Sequence, residues 1–154
     1  MRTGYSAARG FTMVEVLVAL VVLAIGMLGI AGLFVTTLGS GGAAINRMQA
    51  VNLATDIADR IRSNRSANAA YAGAASTSYT CIGAGAVNCA PAEMAADDLL
   101  QWHTAIAATL PSSSGSGGTI AVAGASAPYT YTITLSWPEP GQSTLQTYVM
   151  TMQL

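Results

Sequence analysis

Residues 16–46 carry no charge, and residues 11–35, FTMVEVLVALVVLAIGMLGIAGLFV, are almost wholly apolar. As a helix, residues 11–35 would extend roughly 37 Å at about 1.5 Å per residue, enough to cross a hydrocarbon core of about 30 Å. One residue breaks the pattern of a plain anchor. Glu15 stands inside the apolar run, four positions after Phe11. There an acid that reaches mid-membrane costs on the order of 2.5–3.5 kcal/mol. An anchor does not require that cost, so Glu15 implies a role of its own. The residues ahead of Phe11 carry Arg2 and Arg9 and no acid, which keeps this end cytoplasmic by the positive-inside rule.

The order of these parts separates the chain from an ordinary secreted precursor. A secretory signal peptide has its small-residue cleavage site after the apolar run, whereas here the candidate junction, Gly10-Phe11, lies before it. With Gly10, Phe11, Thr12 and Glu15 in G-FTMVEVLVAL, the sequence resembles the type IV pilin family. Prepilins of that family carry a short basic leader ending in Gly, then Phe, then Glu as the fifth mature residue. The resemblance implies that a prepilin peptidase cleaves after Gly10 and methylates the new amine of Phe11. It also implies that Glu15 partners a neighbouring subunit's amine during assembly.

The rest of the composition limits what the exported part can bind. There is no lysine, and removing the leader takes away Arg2 and Arg9 while leaving all seven acidic residues. No basic patch survives to hold a nucleic-acid backbone, so direct nucleic-acid binding is not expected. Cys81 and Cys89 lie in TCIGAGAVNCAP. In a domain on the far side of a bacterial inner membrane a disulfide is the natural reading, with two unpaired thiols the alternative. A zinc site would need further ligands, which the single His103 does not supply. No cofactor is indicated.

Taken in order, the chain gives a four-part plan: a leader over 1–10, a transmembrane or filament-core helix over 11–35, the second half of a long helix over 36–66, and a globular domain over 67–154. The Gly-Ser-Gly-Gly run at 39–42 is expected to weaken the helix, each Gly costing on the order of 1 kcal/mol against Ala. Gly26, Gly29 and Gly32 form a spaced row upstream that permits close helix approach. Helical periodicity resumes at about Ala43, with Ala50, Leu53, Ala54, Ile57, Ala58 and Ile61 on one stripe. Asp56 with Arg60, and Asp59 with Arg62, are spaced to pair on an exposed face. The segment NRMQAVNLATDIADRIRSNRSANAAY, with AIGMLGIAGL upstream, resembles a subgroup of that family, the minor pilins termed type IV pilus modification proteins (PilV). Residues 68–92 read as an Ala/Gly/Ser-rich loop.

Pro91 then opens a short helix over 91–110, with Glu93, Asp97 and Asp98 toward its N-terminal half and Ala95, Leu99, Trp102, Ile106 and Leu110 on its apolar stripe. Asp97 and Asp98 are adjacent and do not face each other on a helix, so they make poor acid–base partners. SSSGSGG, residues 112–118, reads as a turn or linker. Residues 120–123 form a weak first strand. Tyr129, Tyr131, Ile133, Leu135 and Trp137 alternate with Thr130, Thr132, Thr134 and Ser136 as a half-buried antiparallel strand. Tyr148, Met150, Met152 and Leu154 repeat the pattern.

The expected fold is therefore α+β, type IV pilin-like: a long N-terminal helix, its apolar half protruding, packed on a small antiparallel sheet. No convergent acid–base or nucleophile set stands out, so the chain reads as non-enzymatic. The resemblance implies a minor pilin that helps initiate or decorate type IV pili, supporting twitching motility, adhesion or DNA uptake. The alternative is a minor pseudopilin of a type II secretion system. The implied partners are the prepilin peptidase, other minor pilins, the major pilin and the inner membrane. The implied location is a single pass with the globular domain in the periplasm, then the pilus.

Overall fold

A computed structural model describes residues 10–73, 78–83 and 85–154. Apart from Gly10, the leader read over 1–10 lies outside the described residues, as do positions 74–77 and 84 of the small-residue loop. The chain divides into two units, Met1–Gly41 and Gly42–Leu154. Helix α1 (Met13–Ser63) contributes to both.

The start of α1 is set locally. The Thr12 carbonyl accepts the N–H of Glu15 at 3.1 Å and of Val16 at 3.3 Å, and the Thr12 hydroxyl oxygen also accepts from Glu15 N–H at 3.3 Å. Thr12 thus satisfies donors that the first helical turn leaves without partners, in a T-x-x-E spacing. Helix α1 runs on through the glycines at 39–42. Glycine raises the entropic cost of helix but keeps its N–H and C=O, so the i to i−4 ladder passes through, as it would not at proline.

In the second unit, α1 buries Ala50, Ala54, Ile57, Ala58 and Ile61 in the core. It closes at Ser63, whose hydroxyl donates to the Arg60 carbonyl at 2.8 Å. A 3-10 segment (Arg65–Tyr71) follows and buries Ala67 and Tyr71. Helix α2 (Pro91–Thr109) starts at Pro91, where a missing N–H costs nothing, and the Glu93 carboxylate accepts the N–H of Ala90 at 2.8 Å. Its stripe of Ala95, Leu99, Trp102 and Ile106 is buried. The Trp102 indole N–H donates to the Leu53 carbonyl of α1 at 2.9 Å, so the largest buried side chain leaves no polar atom unpaired.

Strands β1 (Gly117–Ala123), β2 (Thr130–Trp137) and β3 (Gln146–Gln153) form one antiparallel sheet in the order β1-β2-β3. Tyr131, Ile133, Leu135 and Trp137 of β2 face the core, and the intervening hydroxyl side chains face outward. The long N-terminal helix and small antiparallel sheet make the expected α+β, pilin-like fold. One part of the sheet departs from expectation. Gly117 and Gly118, read as linker, are the first residues of β1. Gly118 pairs with Leu135, and a Cβ built there would sit 2.5 Å from Ile106 Cδ1 and 2.5 Å from Trp102 Cη2. The position is glycine because α2 presses its two bulkiest core side chains onto the strand.

Cys81 and Cys89 are joined by a disulfide with a Cα separation of 5.7 Å. Peptide mapping without reductant should recover the two cysteine peptides linked. The paired Cys81→Ser, Cys89→Ser variant should lose about 2–3 kcal/mol of stability to denaturant, the value for closing so short a loop. Two alkylatable thiols in freshly isolated protein would contradict this.

Candidate assembly site

In the first unit the large apolar side chains from Phe11 to Leu38 are exposed, Phe11 to 83%. Among the described residues, α1 alone is long and apolar enough to cross a membrane. A contiguous apolar surface of this extent does not persist in water; it marks a segment whose working surroundings are lipid or other protein. Gly10 is exposed and precedes the helix, so the Gly10-Phe11 bond lies in backbone that no helical hydrogen bond protects. Glu15 sits in the first turn of α1. Together with Phe11, Val16, Ala19, Leu20 and Leu23 it lines a shallow concavity of about 340 Å³.

The chemistry of that concavity is one carboxylate on an apolar wall. Residues 16–46 carry no basic side chain, and the next along the chain is Arg47. The backbone N–H of Glu15 is taken by Thr12, which leaves the side chain unrestrained by the cap. An apolar slot with a single anionic group suits a cation carried on an apolar body.

The second unit brings together residues that the sequence analysis had treated separately. Arg60 Nε contacts Asp56 at 3.1 Å, as the four-residue spacing suggested, but Arg60 Nη1 also reaches Asp98 of α2 at 3.1 Å and Gln101 Oε1 at 3.1 Å. The Tyr71 hydroxyl donates to the other Asp98 oxygen at 2.6 Å. Asn64 Nδ2 lies 3.3 Å from the Tyr71 oxygen and donates to the Pro91 carbonyl at 2.8 Å. Arg62 and Asp59 keep to the exposed face, 2.6 Å apart. Burial pulls the Arg60 pKa down, but hydrogen bonds and charge from Asp98 and Asp56 outweigh it, and the net shift is upward. Burial first, then the hydrogen bond to Asp98, pushes the Tyr71 phenol well above its usual value.

Asp98 is the residue that sequence reasoning missed. Both it and Asp97 are buried rather than solvated near a helix start. The signal was present: Asp98 follows Ala95 by three and precedes Trp102 by four, which puts it on the buried stripe. Asp97 is held by Gln101 Nε2 at 3.0 Å. The cluster pins α1, the 3-10 segment and α2 to one another, with a cavity of about 490 Å³ beside it lined in part by Cys89. Tyr71→Phe should therefore lower stability by about 1.5–3 kcal/mol, the range for a hydrogen bond to a charged group, in urea unfolding of the detergent-solubilised protein. A loss below a few tenths would mean that water replaces the phenol.

His103 lies beside Trp102, ring centroids 5.2 Å apart, and burial lowers its pKa. Among the described residues no group of three or more His, Cys, Asp and Glu is placed to hold a metal ion.

Comparison with known proteins gives two matches. Residues 32–100 match the family model described as Type IV pilin Tt1218. Residues 5–31 match the Prokaryotic N-terminal methylation motif. No curated protein and no solved structure gives a significant match.

Proposed function

We propose, from the likeness of residues 32–100 to the type IV pilin model and of residues 5–31 to the N-terminal methylation motif, that this chain is a minor pilin that helps initiate or decorate type IV pili. Its N-terminal segment waits in the inner membrane, with residues 42–154 in the periplasm, and then enters the filament. Apolar surface leaves lipid for the helices of other subunits, so little apolar area is exposed to water at any stage. Cleavage falls between Gly10 and Phe11, Phe11 carries the methylated amine, and Glu15 pairs with the corresponding amine of a neighbour. The minor role rests on the likeness of DRIRSN and Tyr71 to the PilV-type segment. Twitching motility, adhesion or DNA uptake would follow from the pilus rather than from chemistry in this chain.

The observation that carries this reading is the placement of Glu15: an acid in the first turn of α1, within the stretch from Phe11 to Leu38 whose large apolar side chains are exposed, just after the exposed Gly10. Intact-mass analysis of protein from cells should give a chain that begins at Phe11 with one added methyl group. Retention of the first ten residues, or cleavage beyond Val35, would overturn the processing. Isolation of the mature chain only with a type II secretion apparatus, and never with pili, would overturn the assignment to the pilus.

A further inference from the structure

In an antiparallel ladder, opposed residues alternate between pairs that exchange two hydrogen bonds and pairs that exchange none. Tyr129 and Leu154 exchange both, at 2.6 Å from Tyr129 N to Leu154 O and 3.0 Å in return. Along the β2–β3 register, the next bonded pairs are Tyr131 with Met152, Ile133 with Met150 and Leu135 with Tyr148. The backbone N–H and C=O groups of Thr147, Val149, Thr151 and Gln153 therefore turn away from β2 toward the open edge of the sheet. The same alternation turns Ile120 of β1 outward, and there the chain supplies a partner: Gly73 N–H donates to the Ile120 carbonyl at 3.4 Å. Among the described residues, no backbone hydrogen bond from outside the sheet reaches β3.

Proteins usually blunt such an edge with lysine, proline, a bulge or a covering segment, because a row of unpaired amides is a template for another strand. β3, QTYVMTMQ, has no charge, no proline and no glycine, and its register with β2 is unbroken over Gln146–Gln153. Its core-side residues Tyr148, Met150 and Met152, with Leu154, are only partly covered and lie at the rim of the hydrophobic core. The outward row Thr147, Val149, Thr151 and Gln153 is exposed, Val149 to 54%.

We propose that the free edge of β3 receives an extended strand from a neighbouring pilus subunit, which continues the sheet by backbone hydrogen bonding. The chemistry at the edge defines the guest. It is uncharged where it lies against Met150 and Met152, since an unpaired charge there would be desolvated without compensation. It alternates apolar residues on the core side with polar ones on the other, as in strand addition generally. The guest is a different surface of the neighbour rather than its β3, because subunits of a helical filament meet through heterologous contacts. That last step rests on the pilin reading above.

The test uses the full chain in cells that assemble pili. A photo-crosslinking residue at Val149 should yield a linked peptide from an extended segment of another subunit, at least tenfold more than the same residue at Thr119, exposed on β1. Val149→Pro removes an outward N–H and no bond to β2, so it should abolish crosslinking from position 151 while leaving the circular dichroism and unfolding midpoint of the protein unchanged. Val149→Lys keeps the N–H and should weaken the same crosslink by charging the edge, which covers the case of a proline variant that folds poorly. Equal yields at 149 and 119, crosslinks only to a second copy's β3, or unchanged crosslinking in both variants would overturn the proposal. A chain that is not cleaved after Gly10 would instead strike at the pilin reading, so the two failures are distinguishable.

Discussion

Glu15→Ala is expected to reduce incorporation of the protein into pili by about a hundredfold or more, with cleavage after Gly10 and membrane insertion intact. On the proposed reading Glu15 of the precursor would lie about one turn inside the cytoplasmic interface, where its carboxylate would reach headgroups and water. Packed among apolar helices that escape is closed, and a buried carboxylate needs a cation. Residues 16–46 supply none, so an amine freed at Phe11 by the proposed cleavage would be the group left to do it. Removing one partner of a buried ion pair typically costs about 3–5 kcal/mol, because the other charge is stranded. Insertion becomes easier without the acid, and the Thr12 cap uses the backbone N–H of Glu15, so helix α1 still starts where it does. Glu15→Gln keeps the shape and should fail similarly, which assigns the effect to charge. Wild-type incorporation of a normally cleaved Glu15→Ala chain would refute the pairing.

The second large effect is at the contact between α2 and β1. Trp102 is fully buried, and its N–H is paired with Leu53. Trp102→Ala should cost about 3–5 kcal/mol through the cavity it leaves, measured by urea unfolding with the slope held to the wild-type value. Gly118→Ala alone should cost about 1–3 kcal/mol, since its methyl would overlap Trp102 and Ile106. Combined, the two should destabilise by clearly less than their sum, because the alanine methyl fills part of the space the indole vacates. Additive losses would show that Ile106, not Trp102, sets the limit at Gly118.

How much of this was legible in the sequence depends on the range over which each feature is decided. The apolar run, the acid at Glu15, the Gly10-Phe11 junction and the alternation from Tyr129 to Trp137 are local patterns. Periods of 3.6 and 2 expose the buried face of an element without knowledge of what covers it. The cap at Thr12 is local in the same sense. Asp98 was partly legible: its place on the stripe of Ala95, Leu99 and Trp102 marked it as buried. Its partners Arg60 and Tyr71 lie 38 and 27 residues earlier, and periodicity carries no information about pairing at that distance. Gly118 misled for a related reason. A glycine-rich run has no side-chain pattern to read, and its membership of β1 is decided by Leu135 across the ladder and Trp102 above it.

By itself, then, the chain's order of residues determined the long apolar helix, the second amphipathic stripe and the strand faces, since each follows from chain-neighbour chemistry and hydrophobic period. Only the tertiary structure decided that an arginine spaced for an exposed helix pair also reaches a buried aspartate on another helix. Only it decided that a glycine run begins a strand, and that Gly73 bonds to one edge of the sheet while no backbone group among the described residues outside the sheet bonds to β3. Those outcomes depend on which surfaces meet, and burial, desolvation and backbone pairing act on surfaces after the chain has brought distant segments together.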